Sequence, residues 1–182
     1  MIPKVILRDL ILDDLEDRYK WSLDKEVTKY LSIPNKYPPF TREETKVWIK
    51  MCIDRTNGYL QKAILTEDNV HIGWVDLKNF DDVNSNAELG ITIGNKEFWG
   101  KGYGAAAIKA MLQIGFVELK LNKIWLRVDY DNENAIKCYT RIGFISEGIL
   151  REDRFRHGEY IDRLRFSILL KDLKEIRYDS LK

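Results

Sequence analysis

Apolar and polar residues alternate in several short segments of the chain, and this period of two predicts β-strands. In one such segment Ile124, Leu126 and Val128 are separated by more polar residues, so one face of the strand is expected to be buried. Polar segments and glycines separate the strands from one another. The predicted strands cover residues 4–10, 59–66, 71–77, 87–93, 124–128, 144–151 and 160–170.

Apolar residues also recur at spacings of three and four, which predicts helices. Thr41 and Glu44 have the form of a capping box, in which a hydroxyl and a carboxylate satisfy the first amides of a helix. Three prolines in residues 32–40 place a loop before it. The predicted helical regions are residues 13–31, with a break near Asp24, then 41–57, 105–119 and 132–142.

The order of these elements predicts an α+β fold built around one sheet. A helix separates the fourth and fifth predicted strands, and such a crossover joins parallel strands. The second, third and fourth predicted strands are separated only by short polar segments, which favours antiparallel pairing of these three. With 182 residues the chain is long enough to bury one core, so a single domain over residues 1–182 is expected.

Composition excludes several classes of protein. The chain is 45% hydrophobic and 32% charged with a net charge of +1, and no block of like charge stands out, so disorder and bulk binding to nucleic acid are disfavoured. Cys52 and Cys138 form no disulfide framework or zinc motif, so no metal and a reducing, cytoplasmic location are expected. No apolar run of the length of a membrane span occurs, so no membrane association is expected.

A glycine-rich turn follows the fourth predicted strand and carries the clearest chemical signal. Gly100, Gly102 and Gly104 precede a helix, so backbone amides and the positive end of the helix dipole converge there. The spacing fits neither the dinucleotide fingerprint nor the Walker loop. An anion site, most simply for phosphate, is therefore indicated, although glycines also allow a strand and a helix to pack closely.

The same turn resembles the pyrophosphate-binding motif of the GNAT superfamily of N-acetyltransferases, written Q/R-x-x-G-x-G/A. Gly102 and Gly104 fill the glycine positions, whereas Trp99 stands where Gln or Arg is usual. A second segment, with Asn132, Ala135, Tyr139 and the pair Gly143-Phe144, is similar to the other acetyl-CoA-binding motif of the superfamily. Within the superfamily, the chain looks most like ribosomal-protein N-terminal acetyltransferases, with similarity to polyamine acetyltransferases.

This resemblance implies a GNAT fold, with a mixed, mostly antiparallel sheet, a splayed parallel pair at strands 4 and 5, and helices on both faces. It implies acetyl-CoA as cosubstrate, acceptor-side helices in residues 12–56 and an acetyl-CoA-binding core in residues 60–170. Ile91, Thr92 and Ile93 are expected to pair with the pantetheine arm as an added strand would. The other implied coenzyme contacts are Trp99, Gly100, Lys101, Gly102, Tyr103, Gly104, Ala105, Asn132, Ala135 and Tyr139.

Two residues are candidates for proton transfer. The resemblance implies that Tyr139 protonates the departing thiolate, although a tyrosine on a helix face is often part of a core. Glu88 is the best-placed carboxylate to take a proton from the amine, although an exposed strand residue is an equal alternative. Some protein N-terminal acetyltransferases have a Glu base on the strand before the second motif, where this chain has Arg127. Asn132 could simply cap its helix, and His71 and His157 are expected to face solvent.

The resemblance therefore implies direct transfer of an acetyl group to a primary amine, either a protein N-terminus or a small polyamine. Asp24, Glu26, Asp81 and Asp82 are candidates to attract this cation. A non-catalytic acyl-CoA-binding sensor or interaction module is the alternative, because the same turn could bind coenzyme without catalysis. The sequence does not fix the oligomeric state, and a homodimer stays open.

Overall fold

The computed structural model describes residues 3–156 and 158–172 of the chain. Within this part of the chain the strands form one sheet of seven, in the order β1-β2-β3-β4-β5-β7-β6. The strands are β1 (Ile6–Asp9), β2 (Leu60–Leu65), β3 (His71–Asp81), β4 (Asn86–Ile93), β5 (Lys123–Asp129), β6 (Ile145–Arg156) and β7 (Glu159–Leu169). The helices are α1 (Leu15–Ser22), α2 (Lys25–Thr28), α3 (Arg42–Ile53), α4 (Tyr103–Gln113) and α5 (Glu133–Ile142).

The pairing of the strands confirms the predicted fold class. β1 with β2, β2 with β3, β5 with β7 and β6 with β7 pair antiparallel. β4 and β5 pair parallel, and their register covers only the pairs Asn86 to Lys123, Ala87 to Ile124 and Glu88 to Trp125. Because β4 continues to Ile93, most of this strand lies beyond the registered parallel pairing.

The described residues group into two compact units. The first contains the residues up to Lys78 together with Gly90–Met111, and the second contains Asn79–Leu89 together with the residues from Leu112 onward. The expectation of a single domain is not tested by this grouping and stays a prediction. No helix in the described ranges is long and apolar enough to cross a membrane.

Capping residues set the helix ends of the first unit as predicted. Thr41 accepts a hydrogen bond from the amide of Glu44, whose side chain accepts one from the amide of Thr41. Asp24 caps α2 by accepting a hydrogen bond from the amide of Glu26. The predicted break near Asp24 is therefore a helix start, where a carboxylate satisfies an amide that has no intrahelical partner.

His71 is a correction to the sequence analysis, because its side chain is only 9% exposed. Its Nδ1 lies 3.0 Å from a carboxylate oxygen of Asp17, and its Nε2 lies 3.1 Å from the carbonyl oxygen of Gly73. The ring also packs on Trp21, with the centroids 4.9 Å apart. The prediction that it faces solvent was wrong, since Asp17 lies on α1, far away in sequence. His157 lies outside the described residues.

The second unit buries one face of β5 and the C-terminal end of α5. Ile124, Leu126 and Val128 are all at most 4% exposed, as the alternating pattern predicted. Asn132 is the N-cap of α5, and its side chain accepts a hydrogen bond from the amide of Ala135. α5 ends at Gly143, which has a φ of 112° and so closes the helix in the left-handed region.

β6 is longer than predicted. It extends to Arg156 rather than ending at 151, because residues 154–156 pair with the start of β7. Most residues of β6 are exposed, and the less exposed side chains in its last part are the charged Arg154 and Arg156, so this part of the sequence shows no alternation of apolar and polar residues. Apolar side chains on this edge strand remain accessible, with Ile145 62%, Ile149 56% and Phe155 59% exposed.

Gly73 is predicted to be essential for folding, because β3 and β4 approach closely at this residue. A Cβ there would lie 2.1 Å from the carbonyl oxygen of Thr92, which is backbone and cannot rotate away. Gly73→Ala should lower the free energy of unfolding by about 3 kcal/mol or more, the upper end for overpacking. Urea denaturation checks this.

The matched control for that measurement is Gly104→Ala. Gly104 lies in α4, and a Cβ there would meet only Ile93 Cγ1 at 3.9 Å. The control should leave stability unchanged or raise it by up to about 1 kcal/mol, since alanine favours a helix. Equal stability of the two variants would contradict the close approach at Gly73.

Candidate active site

The glycine turn has the backbone geometry that the sequence predicted. Gly100 and Gly102 have φ values of 69° and 87°, a region in which other residues are strained. The amide of Ala106 donates to the carbonyl oxygen of Gly102 at 3.0 Å, which is the first hydrogen bond of α4. The amides of Tyr103, Gly104 and Ala105 precede it and have no intrahelical acceptor. They can therefore bind an anion.

Gly104 differs from Gly100 and Gly102 because its backbone conformation does not require glycine. It has no positive φ, and a Cβ built on it would make only an ordinary contact of 3.9 Å with Ile93. Neither the backbone conformation nor a neighbouring atom therefore demands glycine here. The missing side chain keeps open the space in front of the amides at the start of α4.

Trp99 makes a contact that the sequence analysis missed. Its indole Nε1 donates a hydrogen bond of 2.7 Å to the carbonyl oxygen of Ile93, while the side chain stays 41% exposed. The last carbonyl of β4 is thereby engaged within the protein. After the turn, Tyr103 packs its ring edge against Phe98, with the centroids 5.1 Å apart. The segment between β4 and α4 is thus fixed by its own aromatic residues.

Two of the four carboxylates that were expected to attract a cation already bind one. Lys96 Nζ lies 2.8 Å from Asp24 and 2.5 Å from Glu26. In the second unit, Asp81 accepts hydrogen bonds from the backbone and the side chain of Asn84. Their role in attracting an acceptor stays a prediction, and Lys96 offsets part of the field of the first pair.

Tyr139 lies on α5 and is half-buried. Its ring packs on Phe144, with the centroids 5.9 Å apart, which fits the alternative that it contributes to the core. Its hydroxyl has no hydrogen-bond partner in residues 3–156 and 158–172. Burial raises the pKa of Tyr139 well above its usual value, and the neighbouring Cys138 adds to the shift. The phenol therefore stays protonated and can donate.

Glu88 is buried, with 5% exposure, so the alternative that it is an exposed strand residue was wrong. Its two oxygens accept hydrogen bonds of 3.0 Å each from Nε and Nη2 of Arg127. Asn79 Nδ2 donates a third, at 2.7 Å. The sequence analysis treated Arg127 only as a departure from the family pattern. No local pattern indicated this pair, because Arg127 and Glu88 are 39 residues apart in sequence.

A cavity of about 450 Å³ lies within the second unit, and no sequence pattern indicated it. The amide of Glu152 donates to Asp162 at 2.7 Å, and Arg156 pairs with Asp131 at 2.8 Å. Three carboxylates and one guanidinium give the lining a formal charge of −2. The lining residues are Tyr130, Asp131, Glu152, Arg156, Tyr160, Ile161 and Asp162.

Comparisons with known proteins agree with this geometry. The acetyltransferase (GNAT) domain family matches residues 4–145. The spermidine N(1)-acetyltransferase of Escherichia coli (strain K12) is 33% identical over 166 residues, which are 90% of this chain and 85% of the relative. The putative ribosomal N-acetyltransferase YdaF of Bacillus subtilis (strain 168) is 32% identical over 91% of this chain and 85% of its own length.

A solved structure is also similar over most of the chain. The crystal structure of spermidine N-acetyltransferase from Vibrio cholerae in complex with CoA and spermine superposes with a TM-score of 0.83 at 28% identity, covering 93% of this chain and 97% of that one. The fold, the family match and the sequence identity therefore all indicate an acetyltransferase. The chain belongs to the GNAT acetyltransferase family and is an N-acetyltransferase that takes its acyl group from coenzyme A and transfers it to an amine.

Proposed function

We propose that the chain transfers an acetyl group from acetyl-CoA directly to a primary amine of a small polyamine, with spermidine as the first candidate. The observation that carries this choice of acceptor is the cavity of formal charge −2 in the second unit. Tyr130 and Tyr160 are 63% and 66% exposed at its rim. Carboxylates and aromatic faces together can bind an ammonium group of the polyamine other than the amine that is acetylated.

The coenzyme is proposed to bind through the first unit. The turn from Trp99 to Ala105 would receive the pyrophosphate, because Gly100 and Gly102 allow the backbone to direct amides toward one point. Ile91 and Thr92 are proposed to pair with the pantetheine arm. Ile93 is proposed to take part as well, and because Trp99 already donates to its carbonyl oxygen, that oxygen has one lone pair left for the coenzyme.

Direct transfer requires two proton movements. The neutral amine attacks the thioester carbon, a C–N bond forms, and the C–S bond breaks to give an amide and a thiolate. Tyr139 is proposed to protonate the thiolate, and Glu88 to take the proton that the ammonium group loses, directly or through a water. Glu88 can do so only through a lone pair that Arg127 and Asn79 leave unused.

The protein N-terminus remains the competing acceptor, because the relative from Bacillus subtilis is described as a putative ribosomal N-acetyltransferase. A panel of spermidine, spermine, butylamine and a short peptide with a free N-terminus separates the two, with release of free thiol as the readout. Turnover that is fastest with the polyamines supports the proposal. Turnover with the peptide alone would overturn it. Coenzyme binding with no turnover on any amine would favour a sensor.

A homodimer also stays a prediction. The observation that favours it is β6, a 12-residue edge strand whose apolar side chains are accessible. An edge strand of this length is usually covered by another segment or another chain. A cytoplasmic location likewise stays a prediction.

Gly104→Glu is predicted to abolish binding of acetyl-CoA. The new carboxylate would enter the space that is open beside Ile93 and would oppose the pyrophosphate electrostatically. We expect the dissociation constant to rise by more than about 100-fold, since the helix N-terminus then faces a fixed anion of the protein. Calorimetry on the folded variant checks this, and an unchanged affinity would place the phosphate site elsewhere.

Glu152→Gln is predicted to weaken binding of polyamines specifically. The Michaelis constant for spermidine should rise about 3- to 5-fold with little change in kcat, the size expected when one accessible charge pair is lost. Butylamine should be unaffected because it has no second ammonium group. The control is Glu159→Gln, an exposed carboxylate outside the cavity lining. Equal effects of both variants would contradict the assignment.

Tyr139→Phe is predicted to slow turnover without weakening coenzyme binding. A thiolate is already a fair leaving group, so the rate should fall about 100-fold, the small end of the range for acid-base groups. Burial raises the pKa of Tyr139, so loss of its proton should not limit wild-type activity below about pH 10. Stopped-flow rates and a pH profile check both statements, and wild-type turnover in the variant would show a purely structural hydroxyl.

A further inference from the structure

The residue pair Glu88 and Arg127 lies where the parallel pairing of β4 and β5 stops. The last registered pair joins Glu88 to Trp125, and Arg127 is two residues further along β5 on the same face. At this point a side-chain ion pair replaces the backbone hydrogen bonds that link the strands. Both residues belong to the second unit.

The geometry of the pair is bidentate. Arg127 Nε donates to Glu88 Oε1 and Nη2 donates to Oε2, both at 3.0 Å. A guanidinium fork of this kind fixes the plane of a carboxylate, which a lysine ammonium does not do. The side chain of Glu88 is 6% exposed and that of Arg127 is 28% exposed, so water screens the pair only partly.

Asn79 makes the two oxygens of Glu88 unequal. Its Nδ2 donates to Oε2 at 2.7 Å, so Oε2 accepts two hydrogen bonds and Oε1 accepts one. Each carboxylate oxygen offers about two lone-pair directions. Asn79 has a φ of 50°, a conformation that asparagine tolerates better than most residues. Oε1 is therefore the oxygen with capacity left for a proton or a water.

Arg127 is itself held from its other side. Its Nη1 lies 3.7 Å from Asp153 Oδ2, and Arg163 Nε donates to the same oxygen at 2.6 Å. The guanidinium also lies 5.5 Å from the ring centroid of Trp125. The side chain of Arg127 thus has fixed neighbours on β4, β5 and β6.

We propose that Arg127 is a positioning residue that acts through Glu88. Together with Asn79 it saturates Oε2 and holds the carboxylate plane, so that Oε1 alone is presented for the proton of the amine. Asp153 keeps Arg127 in this orientation. The inference rests on the proposed transfer to an amine and assigns a role to Arg127, which stands where some protein N-terminal acetyltransferases have a Glu.

A purely structural ion pair would give different kinetics. If Arg127 only stabilised the sheet, its removal would lower stability without changing the pH dependence of turnover. If it positions Glu88, its removal leaves a buried carboxylate without its cation, which favours the protonated form. The acid limb of the pH profile should then move to higher pH, because the base is lost as the pH falls.

The test is a double-mutant cycle of Glu88→Gln and Arg127→Met, with a pH profile of kcat/KM for each variant. Each single change should lower kcat about 10- to 100-fold with the KM for acetyl-CoA within about twofold, because neither residue is proposed to bind the coenzyme. The double variant should be no slower than the slower single variant, since the two act as one unit. Arg127→Met should shift the acid limb of the kcat/KM profile to higher pH. Glu88→Gln should not, because it has no carboxylate at this position.

Two further variants keep the test decisive. Lys123→Met removes a cation of similar exposure, 27%, from the same face of β5, and should leave kcat and the profile unchanged. Arg127→Lys keeps the charge without the fork, so it should retain fold and lose part of the rate even if Arg127→Met does not fold.

Two outcomes would overturn the positioning role. The first is a wild-type kcat and a wild-type pH profile in a folded Arg127→Met or Arg127→Lys protein. The second is a double variant in which the fold-losses in kcat of the two single variants multiply. An inactive wild type on every amine would instead overturn the proposed function.

Discussion

The parallel pairing of β4 and β5 is the constraint on which the rest of the structure depends. Two parallel strands cannot be joined by a tight turn, so the chain must leave the end of β4 and cross over before it begins β5. This crossover contains the glycine turn and α4. The same requirement therefore produces a helix N-terminus after β4, and the glycines of the turn follow from the sharp change in chain direction that precedes the helix.

Local signals in the sequence were sufficient for most of the fold. The capping box at Thr41, the alternation around Leu126 and the glycine after α5 each act within a few residues, and each was predicted correctly. β6 was predicted too short for a physical reason. Its last residues carry no apolar pattern, because the side chains on their buried face are Arg154 and Arg156, which pair with Asp129, and only the pairing with β7 makes them a strand.

The contacts of the candidate site were harder to predict because their partners are distant in sequence. Arg127 and Glu88 are 39 residues apart, and only the parallel register brings them together. The carboxylate that contacts His71 belongs to Asp17, 54 residues away in sequence. No neighbouring residue in the sequence therefore indicated that His71 is buried. The glycine turn was recognised because its backbone geometry depends on residues that are adjacent in the sequence. The roles of Tyr139 and Glu88 stay predictions, since a fold fixes positions and not reactions.

The hydrogen bond from Trp99 to Ile93 has a practical consequence for studying this protein. The chain contains five tryptophans, and Trp99 is the most exposed of them. It stands beside the turn that is proposed to receive the pyrophosphate, and its indole N–H already has a fixed acceptor. The dipole of the excited indole therefore senses charge arriving at the turn from a constant orientation. A change in tryptophan fluorescence is therefore expected when the coenzyme binds as proposed, and no dye has to be attached to a cysteine to follow it.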